Sequence, residues 1–402
     1  MPAPTLANPK AQQAAPNGAP ARNAAPPAII PFTRGARKKR RLIGTITQTL
    51  TAATQQLAPI QIPANGFIKK LILDVTCTTA ANAAATTFAA DGPFNVLTQV
   101  SVAAANGDSL INPIGGFTLA MLQKYGCFNS SKARDPLCDP TFSVTTGAGA
   151  TGGSFHFQVD VPFELDARDA LCALPNMAAN QSFLLQMFLN ANATIYGVAP
   201  TTPGTVTIVV TAEYWGAPAA QNASGIQQAT SPRVTNAVSL IQTQTPAVVA
   251  GTDQTIPLLT VGNTLRFLYF EARTAGGVRT DVDWPVNFNL LVNNDLWDVK
   301  TKNNWKRQMA QEYGLFGGLA TTPTINQLDT GVYIYTDFMN DGGQGDGVPS
   351  AAANRDLMLV TGSGTALSIE AQNWGASIGQ LLVVANALRI PDPSSFYAPI
   401  GI

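Results

Sequence analysis

One histidine stands in the 402 residues, His156, inside the run Ser154–Val161 (SFHFQVDV). A metal centre built on several imidazoles, or a second histidine-dependent triad, is therefore excluded. Its alternation with Phe155 and Phe157 marks a strand residue facing away from the aromatics. Ser154 and Ser182 lack the G-x-S-x-G setting of an exposed nucleophile. The segment Asp160–Asp169 (DVPFELDARD) interleaves Glu164, Asp166 and Asp169 with Arg168, and two carboxylates are the minimum for glycoside hydrolysis. A strand-to-loop segment at a subunit contact accounts for the same residues. Asp341–Gly347 (DGGQGDG) has no lysine for a P-loop and lacks the ligand spacing of a calcium loop, so it reads as an exposed loop. Cys77, Cys127, Cys138 and Cys172 show no CxxC spacing, which argues against a zinc knuckle, and four are too few for a disulfide framework. Trp284, Trp297, Trp305 and Trp374, with Trp215 earlier, read as core and interface anchors. No catalytic residue, metal site or cofactor is expected.

The chemistry that remains is electrostatic. Residues 1–41 hold eight basic groups and no acid, and the first acid of the chain is Asp74. Of the 24 basic and 24 acidic groups, the other 361 residues thus keep 16 against all 24 acids. Arg34, Arg37, Lys38, Lys39, Arg40 and Arg41 are the candidate site, and their partner is a phosphate-bearing surface, either membrane lipid or nucleic acid. The body is poor in charge, with 12% charged and 46% hydrophobic residues, 34 Gly and 28 Pro. Such a composition suits a β-protein rich in loops whose surface is covered by copies of itself. The start MPAPTLANPK has no apolar signal core, and no apolar run reaches the length of a membrane span, so synthesis in a reducing cytoplasm is expected. The sequons at Asn129, Asn180, Asn192 and Asn222 read as accidents of an Asn/Thr/Ser-rich chain.

The elements that must position these groups are short strands. Ile43–Leu50, Phe67–Thr76, Asn95–Val102, Ser154–Val161, Ser182–Leu189 and Thr205–Tyr214 carry strand patterns, and residues 216–236 read as small, polar linker. Strand patterns resume at Ala237–Gln244, Thr264–Ala272, Val286–Val292, Gly331–Thr336, Asp356–Thr361, Ala366–Ala371 and Gln380–Ala387. Two segments read as helices, Gly115–Tyr125 and Thr301–Tyr313, with Gly126 and Gly314 as stops. The first ends Gln123-Lys124-Tyr125-Gly126 and the second Gln311-Glu312-Tyr313-Gly314, 188 residues later. Each follows a strand and an Asn-containing turn, Asn106-Gly107 and Asn293-Asn294. The same order of elements twice implies a duplicated β-domain. The expected organisation is a disordered basic arm (1–41), a first domain (42–218), a linker (219–236), a second domain (237–395) and a tail (396–402). Each domain is expected to be an all-β, eight-stranded jelly roll with one short inserted helix.

At that point the chain resembles the double jelly-roll major capsid proteins of the tectivirus and adenovirus lineage, the tectivirus type most. Ile62–Thr76 (IPANGFIKKLILDVT), the block from Asp91-Gly92-Pro93-Phe94-Asn95 to Gly126, and Trp305–Tyr335 with Gly331-Val332-Tyr333-Ile334-Tyr335 carry the likeness. The resemblance implies a homotrimer whose six jelly rolls form a pseudo-hexagonal capsomer of an icosahedral shell. It also implies other virion proteins as partners, and an N-terminal segment on the inner face near membrane or genome. The basic RGARKKRR stretch departs from that family and is reminiscent of the arms of small RNA-virus coats. An RNA-virus coat with one shell jelly roll and a protruding domain is a second reading, weakened by the repeated helix. A secreted carbohydrate-binding β-sandwich is a third, weakened by the basic arm.

Overall fold

A computed structural model of the chain describes residues 29–126, 139–178, 182–234, 237–258, 262–313, 329–338, 358–362 and 364–390. Residues 1–28, Cys127, Cys138, Asn129, Asn180, Gly314, the loop 341–347 and the tail 396–402 lie outside the described residues.

Eight principal strands make up the first half. They are β1 (Arg37–Thr49), β2 (Ile60–Ile62), β3 (Gly66–Thr78), β4 (Leu97–Ala104), β5 (Ser109–Ile114), β6 (Phe155–Pro162), β7 (Phe183–Leu189) and β8 (Thr205–Gly216). Helix α1 (Gly116–Tyr125) lies between β5 and β6. The second half repeats the series as β9 (Val238–Gln244), β10 (Gln254–Pro257), β11 (Thr264–Thr274), β12 (Asn287–Val292), β13 (Asp295–Thr301), β14 (Val332–Tyr335), β15 (Leu367–Gln372) and β16 (Ile378–Arg389). Helix α2 (Lys302–Tyr313) lies between β13 and β14.

The pairing order shows the repeat most clearly. One sheet of the first half runs β1-β8-β3-β6, and the other β2-β7-β4-β5. In the second half the orders are β9-β16-β11-β14 and β10-β15-β12-β13. Adding eight to every number of the first pair gives the second. Two facing antiparallel sheets in this interleaved order are a jelly roll, so the chain is a double jelly roll with a helix at the same place in each half.

Sequence pattern explains the strands. In β8, Val206, Ile208, Val210, Ala212 and Tyr214 are buried while the residues between them are less so, the period-two signature of a half-buried strand. The β12–β13 hairpin turns on Asn293 and Asn294 at φ 53° and 66°, the paired left-handed residues that a two-residue turn requires. At the β4–β5 turn it is Gly107 that supplies the positive φ, at 84°. Helix α1 is buried along nearly its whole length, and α2 buries Trp305 and Met309 four residues apart on one face.

The two halves are continuous. Strand β5 pairs with β9 in parallel, at Ile111 and Ile241, so one sheet of each half joins into a single larger sheet. Core side chains from both halves form one connected cluster.

Three expectations change. The basic run is no part of a disordered arm: Arg37–Arg41 open β1 and pair with Gly216–Ala212 of β8, because the edge of β8 offers them a backbone ladder. The reading of 219–236 as a plain linker also changes, since its backbone forms a bridge from Gln228 to Ile30 and another from Gln221 to Gln227. The strands β5 and β13, and a small three-stranded sheet of Asn82–Phe88, Gly147–Gly149 and Tyr196–Val198, had no counterpart in the sequence reading.

Candidate anion-binding face and the seam between the halves

All five cations of β1 (Arg37, Lys38, Lys39, Arg40 and Arg41) are exposed, as is Arg34 in the single helical turn Phe32–Gly35. Cross-strand partners share a face, so Lys39 and Arg41 lie with Tyr214 and Ala212, and Lys38 and Arg40 with Trp215 and Glu213. Of the six, Arg40 has a carboxylate partner among the described residues, Glu213 at 2.5 Å. The other five form no ion pair among the described residues.

The chain leading into the strand is fixed from below. Phe32 is buried, its ring edge-on to Phe67 and Trp215 at centroid distances of 5.1 and 6.3 Å. The Ile30 amide donates to the Gln227 carbonyl at 3.0 Å, and the Thr33 hydroxyl donates to the Arg168 carbonyl at 2.8 Å. Trp215 is the plate on which this end is built. Its indole N–H donates to Glu164 at 2.5 Å, while Lys38 and Lys69 sit 5.1 and 5.0 Å from its rings. Lys69 is neutralised by Glu164 at 3.1 Å. Lys38, Lys39, Arg40, Lys69, Glu213 and Tyr214 line a concavity of about 390 Å³. Burial pushes the Tyr214 phenol up to about 12 against the field of Arg41. A rigid concave cluster of this kind can hold phosphate oxygens, and each cation near an anionic surface contributes roughly 1 kcal/mol.

The second concentration of charge is buried at the seam. Asp91, from the DGPF stretch before β4, accepts from Arg279 at 2.6 Å and from Arg273 at 2.6 Å, both beyond β11's start in the second half. Arg279 also donates to the Thr330 and Ala90 carbonyls at 2.6 and 3.1 Å and lies 4.3 Å from the Phe117 ring of α1. Arg273 reaches Glu271 as well, and Glu271 accepts from Thr118 of α1 at 3.1 Å and from Tyr269 at 2.8 Å. Burial alone would raise the Asp91 carboxyl, but the charges and hydrogen bonds of Arg279 and Arg273 outweigh it and hold it below the usual carboxylate range. At the other end of the seam Arg389 grips Asp108, with contacts of 2.5 and 3.1 Å. That fork, with its attendant charge, keeps Asp108 below the ordinary value against a small opposing burial effect. These groups lock one jelly roll to the other.

His156 and the carboxylates of 160–169 are engaged in bonds within the chain. His156 lies on β6, bonded to Asp74 at 2.5 Å. Asp160 pairs with Lys70 at 2.6 Å, Glu164 is fully buried against Trp215 and Lys69, and Asp166 and Asp169 accept from the backbone N–H groups of Arg168 and Leu171. The described bonds of this acidic segment lie within the chain. Cys77 and Cys172 are buried thiols, and burial pushes Cys77 up to about 11. Trp284, Trp305 and Trp374 form an aromatic core cluster, and Trp297 is 55% exposed. No grouping of three or more metal-ligating side chains occurs among the described residues. Nor is any described helix long and apolar enough to cross a membrane. The seam was invisible to sequence reasoning, since no spacing rule connects Asp91 with Arg279.

Solved structures with this architecture exist. The chain is similar to the STIV MCP, from Sulfolobus Turreted Icosahedral Virus, at 15% identity and a TM-score of 0.58, covering 90% of this chain and 100% of that one. It is similar to PBCV-1 VP54, as fitted into a reconstruction of the virophage Sputnik, at 15% identity and 0.56, covering 88% and 94%. It is similar also to the major capsid protein P2 from Bacteriophage PM2, at 10% identity and 0.50, covering 89% and 98%. At such identities the likeness is one of fold. No family model matches the chain, and no curated protein matches it by sequence.

Proposed function

We propose that this chain is the major coat protein of an icosahedral virus. It works as a homotrimer whose six jelly rolls form a pseudo-hexagonal capsomer, tiled with other virion proteins into a shell. The observation that carries the reading is the doubled strand order, β1-β8-β3-β6 with β2-β7-β4-β5 and its repeat eight strands on, joined side by side through β5 and β9. Two like modules rigidly fused present one chain as a third of a six-lobed block. The fold shared with proteins described as major capsid proteins supports the same reading. So does a composition in which assembled surfaces need little charge. The structural bodies are then about residues 37–216 and 238–389, and the role is architectural, without a catalytic step. The repeated order disfavours the single-shell-domain coat, whose protruding domain would have no reason to share it.

The basic start of β1 then faces the acidic contents of the shell, whose phosphates belong to membrane lipid or genome. Flotation with phosphatidylserine vesicles and a DNA gel shift, run from 50 to 300 mM salt, test this. The full chain is expected to bind at low salt and release as salt rises. A variant with Arg37, Lys38, Lys39 and Arg41 replaced by Gln is expected to bind at least tenfold more weakly to whichever surface the chain prefers. Equal binding by that variant would remove the assignment.

A further inference from the structure

The amine of Lys306, on α2, is turned onto the start of β14, and 21% of its side chain remains exposed. It donates to the main-chain carbonyls of Asp329 and Val332, the second at 2.9 Å, and lies 4.4 Å from the centre of the Tyr333 ring. Its third neighbour is the Asp281 carboxylate, with Oδ1 at 3.2 Å. Asp281 sits on the loop between β11 and β12, so amine and carboxylate arrive from separate elements. The same Oδ1 accepts the Gly331 N–H at 2.9 Å and the Tyr333 hydroxyl at 2.8 Å.

These contacts suit an uncharged amine. An ammonium has three hydrogens to place, whereas an amine has two and a lone pair. Two carbonyls take two hydrogens, and the direction left over faces Asp281. Burial pushes the Lys306 ammonium down from its ordinary value, and the opposing charges of Asp281 and Asp329 do not restore it. Burial raises the Asp329 carboxyl against the pull of Lys306, and the charge of Asp281 adds to the rise. Burial, with Asp281 beside it, also holds the Tyr333 phenol far above its ordinary value, so it stays a donor. A nucleophilic amine, a polarised carboxyl and a second carboxyl able to hold a proton therefore share one corner of the fold.

We propose that Lys306 and Asp281 become joined by an isopeptide bond. The lone pair of Nζ attacks Cγ of Asp281, and the negative oxygen that forms at Oδ1 is held by the Gly331 N–H and the Tyr333 hydroxyl. The Nζ–Cγ bond forms, the Cγ–Oδ2 bond breaks, and Oδ2 leaves as water. Both protons of that water come from the former ammonium, relayed by the Asp329 carboxyl, which gives up one proton for each it accepts. An ammonium and a carboxylate thus become an amide and one water, with no change of oxidation state and no co-reactant. The link staples the loop before β12 to α2, and it does not depend on the coat reading.

Mass spectrometry of the full chain tests it, on fresh protein and after prolonged incubation at neutral pH. The intact wild type is expected to be one water lighter than its sequence. Trypsin should then release a branched peptide joining residues 280–300 to residues 303–307, uncut at Lys306, with fragment ions placing the branch between Asp281 and Lys306. Lys306→Arg keeps the cation, and should show the full sequence mass with residues 280–300 as a linear peptide. Asp329→Asn keeps the shape but not the acid, and should retain the wild-type circular dichroism while forming the branched peptide more slowly by a factor of about ten or more. A wild type that keeps its full mass and linear peptides after incubation would overturn the proposal. A water lost equally from Lys306→Arg would overturn it too, since that loss marks a succinimide at an Asp-Gly step such as Asp341-Gly342. Linking by Asp329→Asn at the wild-type rate would overturn the relay assigned to Asp329.

Discussion

Replacing Asp91 with Ala tests whether the seam is a structural lock. Asp91 bridges Arg279 and Arg273 at 2.6 Å each, and its side chain is 12% exposed against 3% for Arg279 and 20% for Arg273. Removing one partner of such a buried group costs about 3–5 kcal/mol, because the surviving charges are left without compensation. The lower end applies, about 3 kcal/mol, since Arg279 keeps the Thr330 and Ala90 carbonyls and Arg273 keeps Glu271. For a block of about 350 residues unfolding together, at roughly 2 cal/mol/K per residue, each kcal/mol moves the midpoint by about 1.4 °C, which gives a fall of about 4 °C in a thermal melt. The control is Arg40→Ala. That pair is equally short at 2.5 Å, but Arg40 is 72% exposed, so its loss should cost less than about 1 kcal/mol. A calorimetric scan should also show the Asp91 variant losing cooperativity between its halves, with one transition broadening or dividing into two. A midpoint shift no larger than that of Arg40→Ala would refute the lock, and with it the claim that the two jelly rolls move as one block.

Acid should weaken the same seam. Asp91's folded value lies below its unfolded one, so its contribution is complete above pH of about 4 and lost as pH falls through the folded value. The melting midpoint of the wild type should therefore drop steeply below pH 4, and Asp91→Ala should flatten that limb in melts taken from pH 7 to 2.5. Trp305→Ala should destabilise by roughly 3–5 kcal/mol in urea titrations, because Trp305 is buried among Phe270, Trp284, Phe288 and Tyr333 and its N–H serves the Ile334 carbonyl at 2.7 Å. Phe32→Ala should release the anchor below the basic strand, so that trypsin cuts between Arg34 and Arg41 many times faster than in wild type, while the body keeps its melting midpoint within a few degrees. Ala at Gly66 should be poorly tolerated, since φ is 117° and a Cβ would sit 2.2 Å from the Trp215 carbonyl oxygen; soluble yield and melting temperature report it.

How far the sequence foretold this molecule differs from element to element. Both inserted helices and the strands with clear alternation, such as β6 and β8, were legible to within a few residues because burial of one face leaves a period in the sequence. Strand β5 (SLINPI) carries a proline and no alternation, since the second half covers it. Strand β13 hides behind the Asn293-Asn294 turn and exposes Trp297 where a core residue would be expected. The basic start of β1 read as unstructured because five adjacent charges have no apolar face; its order comes from the β8 backbone and from Phe32 far below. The cations themselves were evident, their rigid setting on Trp215 was not. Asp91 and Arg279 are 188 residues apart and belong to different jelly rolls, so no local pattern could announce their pairing. The duplication was legible through one repeated Q-x-Y-G pattern and a shared order of elements, and the strand pairing of the two halves repeats it strand for strand.

The central claim is that this chain builds a six-lobed block from three copies. Electron microscopy of the purified full-length protein, with two-dimensional averaging and no symmetry imposed, tests it most directly. The account predicts three-fold particles of six nearly equal lobes with a pseudo-hexagonal outline. Isolated two-lobed particles, or twofold pairs, would contradict it.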